Sequence, residues 1–316
     1  MTTAVEPTGG APATPIEPGT PTTAAGRVRK RMTSPVASTV AIVVGVLWTI
    51  PTAALLLQSF RDKHAQDTSG PWHFNGWTMD NYDRITSGTN DILPTVVNSI
   101  VIVIPAALIP IAVAAMASYA LVWIDFRGRD WVYLGIFALQ IVPLQVAVIP
   151  LLTFVVNGAH IGSVTIFPST GLNGTVAAIW LAHACFALPL AVFLMHNFMS
   201  EIPRDLLEAA RIDGASHGQI FRQVMMPLIT PALAAFGIFQ FLWVWNDLFV
   251  GLVMSAGNPD IAPVTIAVNN LVNSTSGAGR ELLPAAAFLS ITIPLLVFIA
   301  LQRFFVRGLL AGSVKG

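Results

Sequence analysis

Charge is what this sequence has least of. Of its 316 residues, Asp, Glu, Lys and Arg make up only 10%, where soluble globular chains carry roughly 25%. That is too little to coat a water-facing surface of this size. Cysteine is almost absent: Cys185 stands alone, which excludes an internal disulfide and any cysteine-based zinc cluster. The six histidines never fall into HExxH or another close ligand pair, so no metal or other cofactor is expected. A basic excess is missing too. Sixteen basic and sixteen acidic residues cancel, which argues against a nucleic-acid partner. No GxxxxGK[ST] loop occurs, so the chain carries no phosphate-cradling nucleotide motif of that kind. Paired carboxylates and a nucleophile beside a base are likewise lacking within the apolar runs, and no catalytic residue is assigned.

What is present in excess is apolar side chain, 54% of the residues, with a mean hydropathy of +0.71. The chain reads as an integral membrane protein. Charged residues are rare enough to mark off the spans. Uncharged runs of 29, 33, 70 and 21 residues lie between Arg31 and Arg61, Asp91 and Asp125, Asp130 and Glu201, and Glu281 and Arg303. A further run of 37 between Arg222 and Asp260 is interrupted only by Asp247. One crossing takes about 20 apolar residues. The 70-residue run divides at the turn formers of Asn157-Gly158 through Asn173-Gly174. The expectation is an all-α membrane protein with six transmembrane helices, near 36–60, 93–123, 131–156, 174–198, 228–255 and 283–303. Barrel strands would alternate over about ten residues instead.

Six crossings put both termini on one side. That side holds twelve Lys and Arg, among them Arg27–Arg31, Arg127, Arg129, Arg204 and Arg211. The opposite side holds four: Arg61, Lys63, Arg84 and Arg280. Positive charge favours the cytoplasmic face, so both termini are expected in the cytoplasm, with lipid around the spans. Residues 1–35 form a Pro- and Gly-rich start expected to be disordered. Residues 36–316 form the membrane domain. The segments 61–92 and 256–282 are expected outside, the first as a cap over the helices.

The connection 200–227 is the longest on the cytoplasmic side. Pro203 suits a first helical turn, and Asp205 and Glu208 lie where a helix dipole favours negative charge. Gly214 can take the left-handed conformation that ends a helix. Ser216-His217-Gly218-Gln219 fits a capping box for a second helix that would stop near Pro227. A short polar turn would suffice for a mere linker, so this helix–turn–helix reads as a docking piece. Within the fifth span, Asp247 is costly in hydrocarbon and should face protein or water. With Asn246 it either lines a translocation path or is satisfied structurally by neighbouring helices. Trp243 and Trp245 beside it would stack on a ligand or pack between helices.

Glu208-Ala209-Ala210 followed by Asp213-Gly214-Ala215, Phe221 and Pro227 resembles the EAA loop of ATP-binding-cassette importer permeases. Other runs narrow the resemblance: Asn75-Gly76-Trp77-Thr78 with Asn81-Tyr82, Pro143-Leu144-Gln145-Val146, Trp245-Asn246-Asp247, and the tail Phe305–Gly316. Together they are similar to the second permease subunit of maltose- and α-glucoside-type carbohydrate importers. The resemblance implies a sugar importer with a second homologous permease, two ATP-binding subunits and an extracytoplasmic sugar-binding protein. The EAA residues 208–210 and 213–215 would couple to an ATP-binding subunit, and ATP hydrolysis would reside there and not in this chain. The alternative class is a secondary transporter driven by an ion gradient, which would place more ionisable groups within the spans.

Overall fold

The computed structural model describes residues 35–87, 90–273 and 279–311, with the backbone alone from 303. The start at 1–34 and the tail at 312–316 lie outside the described residues, so the expectation of a disordered leader falls there. The chain divides into two compact units after Thr52. Of the first, the described part is the beginning of helix α1 (Pro35–Ser59), apolar and exposed.

The second unit holds the remaining elements. They are α2 (Lys63–Thr68), α3 (Asp80–Thr86), α4 (Leu93–Trp123), α5 (Arg129–Leu139), α6 (Leu144–Asn157), strands β1 (Ala159–Ile161) and β2 (Val164–Phe167), and α7 (Val176–Ser200). After these come α8 (Arg204–Ile212), α9 (His217–Asn246), α10 (Phe249–Met254), α11 (Val264–Val272) and α12 (Leu283–Ala311). Among the described residues five helices are long and apolar enough to cross a membrane, and the bent pair α5–α6 makes a sixth if taken as one span.

Three details differ from the sequence reading. The third span is not continuous: α5 and α6 meet at 105° across Gln140–Pro143. Pro143 has extended backbone and precedes α6, as expected of a residue that fixes φ and donates no N–H. The fifth span ends at Asn246, not 255, and restarts at Phe249. Pro227 does not stop the second loop helix. A π turn at Ile220–Met225 precedes it, and Pro227 falls in the first turn of the stretch that follows, where a missing N–H is tolerated. The turn-rich break at 157–174 contains a small antiparallel hairpin, β1 with β2.

Alanine explains the central packing. Helix α4 buries Ala106, Ala114 and Ala115, and α7 buries Ala178, Ala182 and Ala191. Small side chains let membrane helices approach closely, and polar groups add hydrogen bonds between them. Ser118 Oγ donates to Val192 O at 3.1 Å, and Gln240 Nε2 donates to Ala106 O at 3.4 Å. Two apolar clusters result. One gathers Ile102, Ile179, Trp245, Val264 and Leu282 toward the end that carries 60–87 and 255–273. The other gathers Tyr119, Met195, Met199, Leu207, Ile220 and Ile229 toward the end that carries 201–216.

Candidate functional site: a capped loop and a cavity in the bundle

The 200–219 loop is built by its caps. Helix α8 begins after Pro203, which sits just outside the first turn, with Asp205 within it. It ends in a Schellman motif: Gly214 N donates to Arg211 O and Ala215 N donates to Ala210 O, both at 3.0 Å. Gly214 has φ +82°, which glycine adopts without penalty. The capping box forms: Ser216 Oγ accepts from Gln219 N at 3.4 Å, and Gln219 Oε1 accepts from Ser216 N at 2.8 Å.

The caps orient the side chains. Leu207 is buried, with Ile220 beyond the turn, and Tyr119 of α4 anchors the second helix. Its hydroxyl lies 3.1 Å from His217 Nδ1, and its ring meets Phe221 edge-on. Of the six residues singled out, Glu208, Ala209, Asp213 and Gly214 are exposed, while Ala210 and Ala215 are half-buried against the bundle. Leu206 is 45% and Ile212 86% exposed. The loop therefore presents two large apolar side chains beside Asp205, Glu208 and Asp213 on a rigid mount. The exposure of Leu206 and Ile212 is not marked by any motif in the sequence; it follows from Leu207, and not its neighbours, turning toward the bundle.

Asn246 and Asp247 fall at the break in the fifth span. Asp247, one residue before the N-cap Leu248, caps the restarted helix with its side chain: Oδ2 accepts from Val250 N at 2.8 Å and from Gly251 N at 3.2 Å. Its carbonyl accepts from Thr265 Oγ1 at 2.7 Å. The carboxylate thus restarts the helix, which accounts for an ionisable group at this depth. It also lines a cavity of about 730 Å³ with Gln140, Gln145, His183, Gln240 and Trp243. His183 Nε2 lies 3.7 Å from Asp247 Oδ2, beyond a hydrogen bond. Asn246 donates to Leu242 O at 2.8 Å and lines an adjoining recess with Trp243 and Asp247. The two tryptophans separate. Trp245 is buried and donates to Ser290 O at 3.1 Å, whereas Trp243 stands 52% exposed. Among the described residues no three His, Cys, Asp or Glu side chains come together to hold a metal.

The sequence reading missed the convergence of Gln140, Gln145, His183 and Gln240. A usable signal was present, because an amide side chain within an apolar run needs a polar reason to be there.

A polytopic helical subunit with a rigid loop at one end and, between its helices, a cavity that carries a few polar groups has the architecture of a transport permease. Residues 111–311 match the family described as binding-protein-dependent transport system inner membrane component, and the chain belongs to that family. It is 41% identical over 283 residues to an osmoprotective-compound uptake permease of Synechocystis, covering 87% of this chain and 90% of that one. It is 46% identical over 240 residues to an α-glucoside transport permease of Rhizobium meliloti, covering 76% of this chain and 61% of that longer one. A trehalose transport permease of Mycobacterium tuberculosis is 36% identical over 242 residues, covering 76% and 82%. The fold is that of a solved bacterial ABC transporter involved in the import of the acidic polysaccharide alginate. The TM-score is 0.69 at 19% identity, covering 90% of this chain and 98% of that one.

Proposed function

We propose that this chain is one of two membrane-spanning subunits of an ATP-driven importer that carries an α-glucoside or another oligosaccharide into the cell. A homologous permease would pair with it. Two ATP-binding subunits would sit at the 201–216 end, and a sugar-binding protein would deliver cargo at the opposite end. Support for the cargo comes from relatives whose names include α-glucoside, trehalose and arabinooligosaccharides. The observation that carries the assembly is the loop: a doubly capped mount holding Leu206, Glu208 and Ile212 outward. An apolar pair flanked by carboxylates suits a protein groove better than water. Glu208 to Ala210 and Asp213 to Ala215 form the coupling element in this reading, and ATP hydrolysis stays with the partners. The cavity beside Asp247, with the Asn246 recess, is the translocation path. The membrane domain spans 36–316.

Reversing one charge tests the coupling. Glu208→Lys should abolish uptake and weaken co-purification with the ATP-binding subunits, with membrane insertion unchanged. Desolvated interface charges are worth about 2–5 kcal/mol. Normal uptake in this variant would remove the coupling role. Uptake must also persist when proton and sodium gradients are collapsed, or the ion-driven reading holds instead. Orientation is checked in a Cys185→Ser background. Gly70→Cys should react with an impermeant maleimide added to cells, and Gly218→Cys should not.

A further inference from the structure

We infer that the cavity beside Asp247 is a saccharide subsite belonging to this chain and that it selects uncharged sugar units over acidic ones. The inference rests on the importer reading and adds to it where this subunit touches cargo and what cargo it rejects. The cavity lies within the second compact unit, between α5–α6, α7 and α9.

Its wall has the chemistry of a hydroxyl-bearing ligand's site. Gln140 and Gln145 are exposed on either side of the α5–α6 bend, and neither amide has a hydrogen-bond partner among the described residues. Gln240 spends its Nε2 on Ala106 O, which leaves Oε1 to accept. Asp247 spends Oδ2 on the N-terminus of α10, and its carboxylate lines the cavity wall. Trp243 contributes a half-exposed indole. Amides and a carboxylate oxygen pair with hydroxyl groups, and a flat indole covers the C–H face of a pyranose ring. A few convergent polar groups on a largely apolar wall define a small-molecule site.

Charge sets the selection. Among the eighteen lining residues Asp247 is the only carboxylate, and there is no Lys or Arg. The neighbouring titratable groups on the wall are His183 and Cys185. A uronate placed here would face a fixed carboxylate in a low-dielectric setting without a cation to offset it, and like charges at short range repel strongly there. A neutral sugar meets no such barrier. The solved importer that shares this fold takes an acidic polysaccharide, so the fold itself does not set the sign of the cargo.

Cys185 supplies the reporter, because this single cysteine is exposed on the same wall. The assembled complex with its binding protein is treated with a small permeant maleimide, and labelling of the Cys185 peptide is timed by mass spectrometry. A neutral α-linked disaccharide at saturating concentration should slow labelling at least threefold, and the corresponding disaccharide uronic acid should not. Asp247→Asn keeps an oxygen for capping α10 but removes the charge, so the uronic acid should then protect. Gln145→Leu and Trp243→Leu, both at exposed positions, should lose protection by the neutral sugar while still co-purifying with the partner subunits. Equal protection by both sugars in the parent complex would overturn the charge selection. No protection by a sugar that the complex imports with stimulated ATP hydrolysis would overturn the subsite and leave the importer standing. A complex whose ATP hydrolysis ignores the binding protein and which imports no sugar would overturn the importer reading itself.

Discussion

The polar segments at 200–219 and 60–82 both belong to the second compact unit but are held together in opposite ways. The first relies on backbone caps: a Schellman motif at Gly214 and a capping box at Ser216. Its charged side chains are exposed, Asp205, Glu208, Arg211 and Asp213 among them. The second is wound around one buried cation. Arg61 is fully buried, and its guanidinium donates to Gly70 O at 2.9 Å, Ala65 O at 2.7 Å and Asn75 Oδ1 at 2.9 Å, and also to Ser69 Oγ. Asn81 Nδ2 ties down Ser59 O at 3.0 Å and Arg61 O at 2.8 Å. A segment that turns its polar side chains inward has little left for a partner, whereas one held by its helix caps keeps Asp205, Glu208 and Asp213 at the surface. That contrast sets the exposed face of 200–219, the docking surface in the proposed reading, against 60–82 as a self-contained cap.

The strongest way to break the contrast is to remove the buried cation. Arg61→Met should unravel the 60–82 segment, because several buried carbonyls lose their donor at about 1–3 kcal/mol each. Hydrogen exchange at the amides of Asp62 and Thr78, which bond to Gly76 O and Phe60 O, should rise by orders of magnitude while the spans stay protected. Unchanged exchange would mean the segment does not depend on Arg61.

Two glycines give the next comparison. Gly76 has φ +67°, and a Cβ there would come within 2.4 Å of Ala65 Cβ; Gly214 has φ +82° and open space. Both pay the left-handed penalty of about 1–2 kcal/mol as alanine. Gly76→Ala adds overpacking worth about 1–3 kcal/mol, so it should lower the thermal midpoint of the purified complex more than Gly214→Ala. The reverse order would show that the cap is looser than its geometry implies.

Ser216→Ala removes one acceptor of the capping box and should cost about 1 kcal/mol. Faster exchange at the Gln219 amide is the measurement, and no change there would show the box to be redundant with the packing of Ile220.

The smallest effect concerns acid. Burial pushes the Glu281 carboxyl up, but its own backbone N–H and the Arg84 and Lys63 charges outweigh this, and it ionises below the ordinary 4.5. Arg84 Nη2 lies 3.0 Å and Lys63 Nζ 4.0 Å away. A carboxylate held below its unfolded value stabilises the fold fully above that value, and the contribution disappears as pH falls through the folded one. Both cationic partners are more than a third exposed, so screening keeps the effect small. Moving from pH 7 to pH 3.5 should therefore lower the thermal midpoint less in Glu281→Gln than in the parent.

The spans and the loop caps were legible because they rest on signals within one segment: long uncharged runs, a Ser-x-x-Gln box and a glycine after a helix. The resemblance carried by Glu208–Ala215 and Trp245–Asp247 led to the family that the chain belongs to. What escaped depended on distant partners. Arg61 reads as a solvent charge by its type, and its burial follows from Asn75 and Gly70 folding back on it. Asp247 reads as a lone intramembrane acid, and its capping of α10 follows from a helix break that no proline or glycine announces. The 105° bend at Gln140–Pro143 does carry a proline, but prolines elsewhere, such as Pro105 and Pro189, sit inside unbroken helices. Proline alone does not say which helix bends.

Helix α9 runs without a break from the capping box at His217 to Asn246. Thirty residues at 1.5 Å each make a rod of roughly 45 Å. The loop meets one end of this rod, and Trp243 and Asn246 stand at the other. Regular α-helical geometry is interrupted at two points, the π turn of Ile220–Met225 beside the loop and the extended Asp247 beside the cavity. Both points lie between the loop and the cavity, so one continuous helix joins the two regions that the proposed importer has to coordinate.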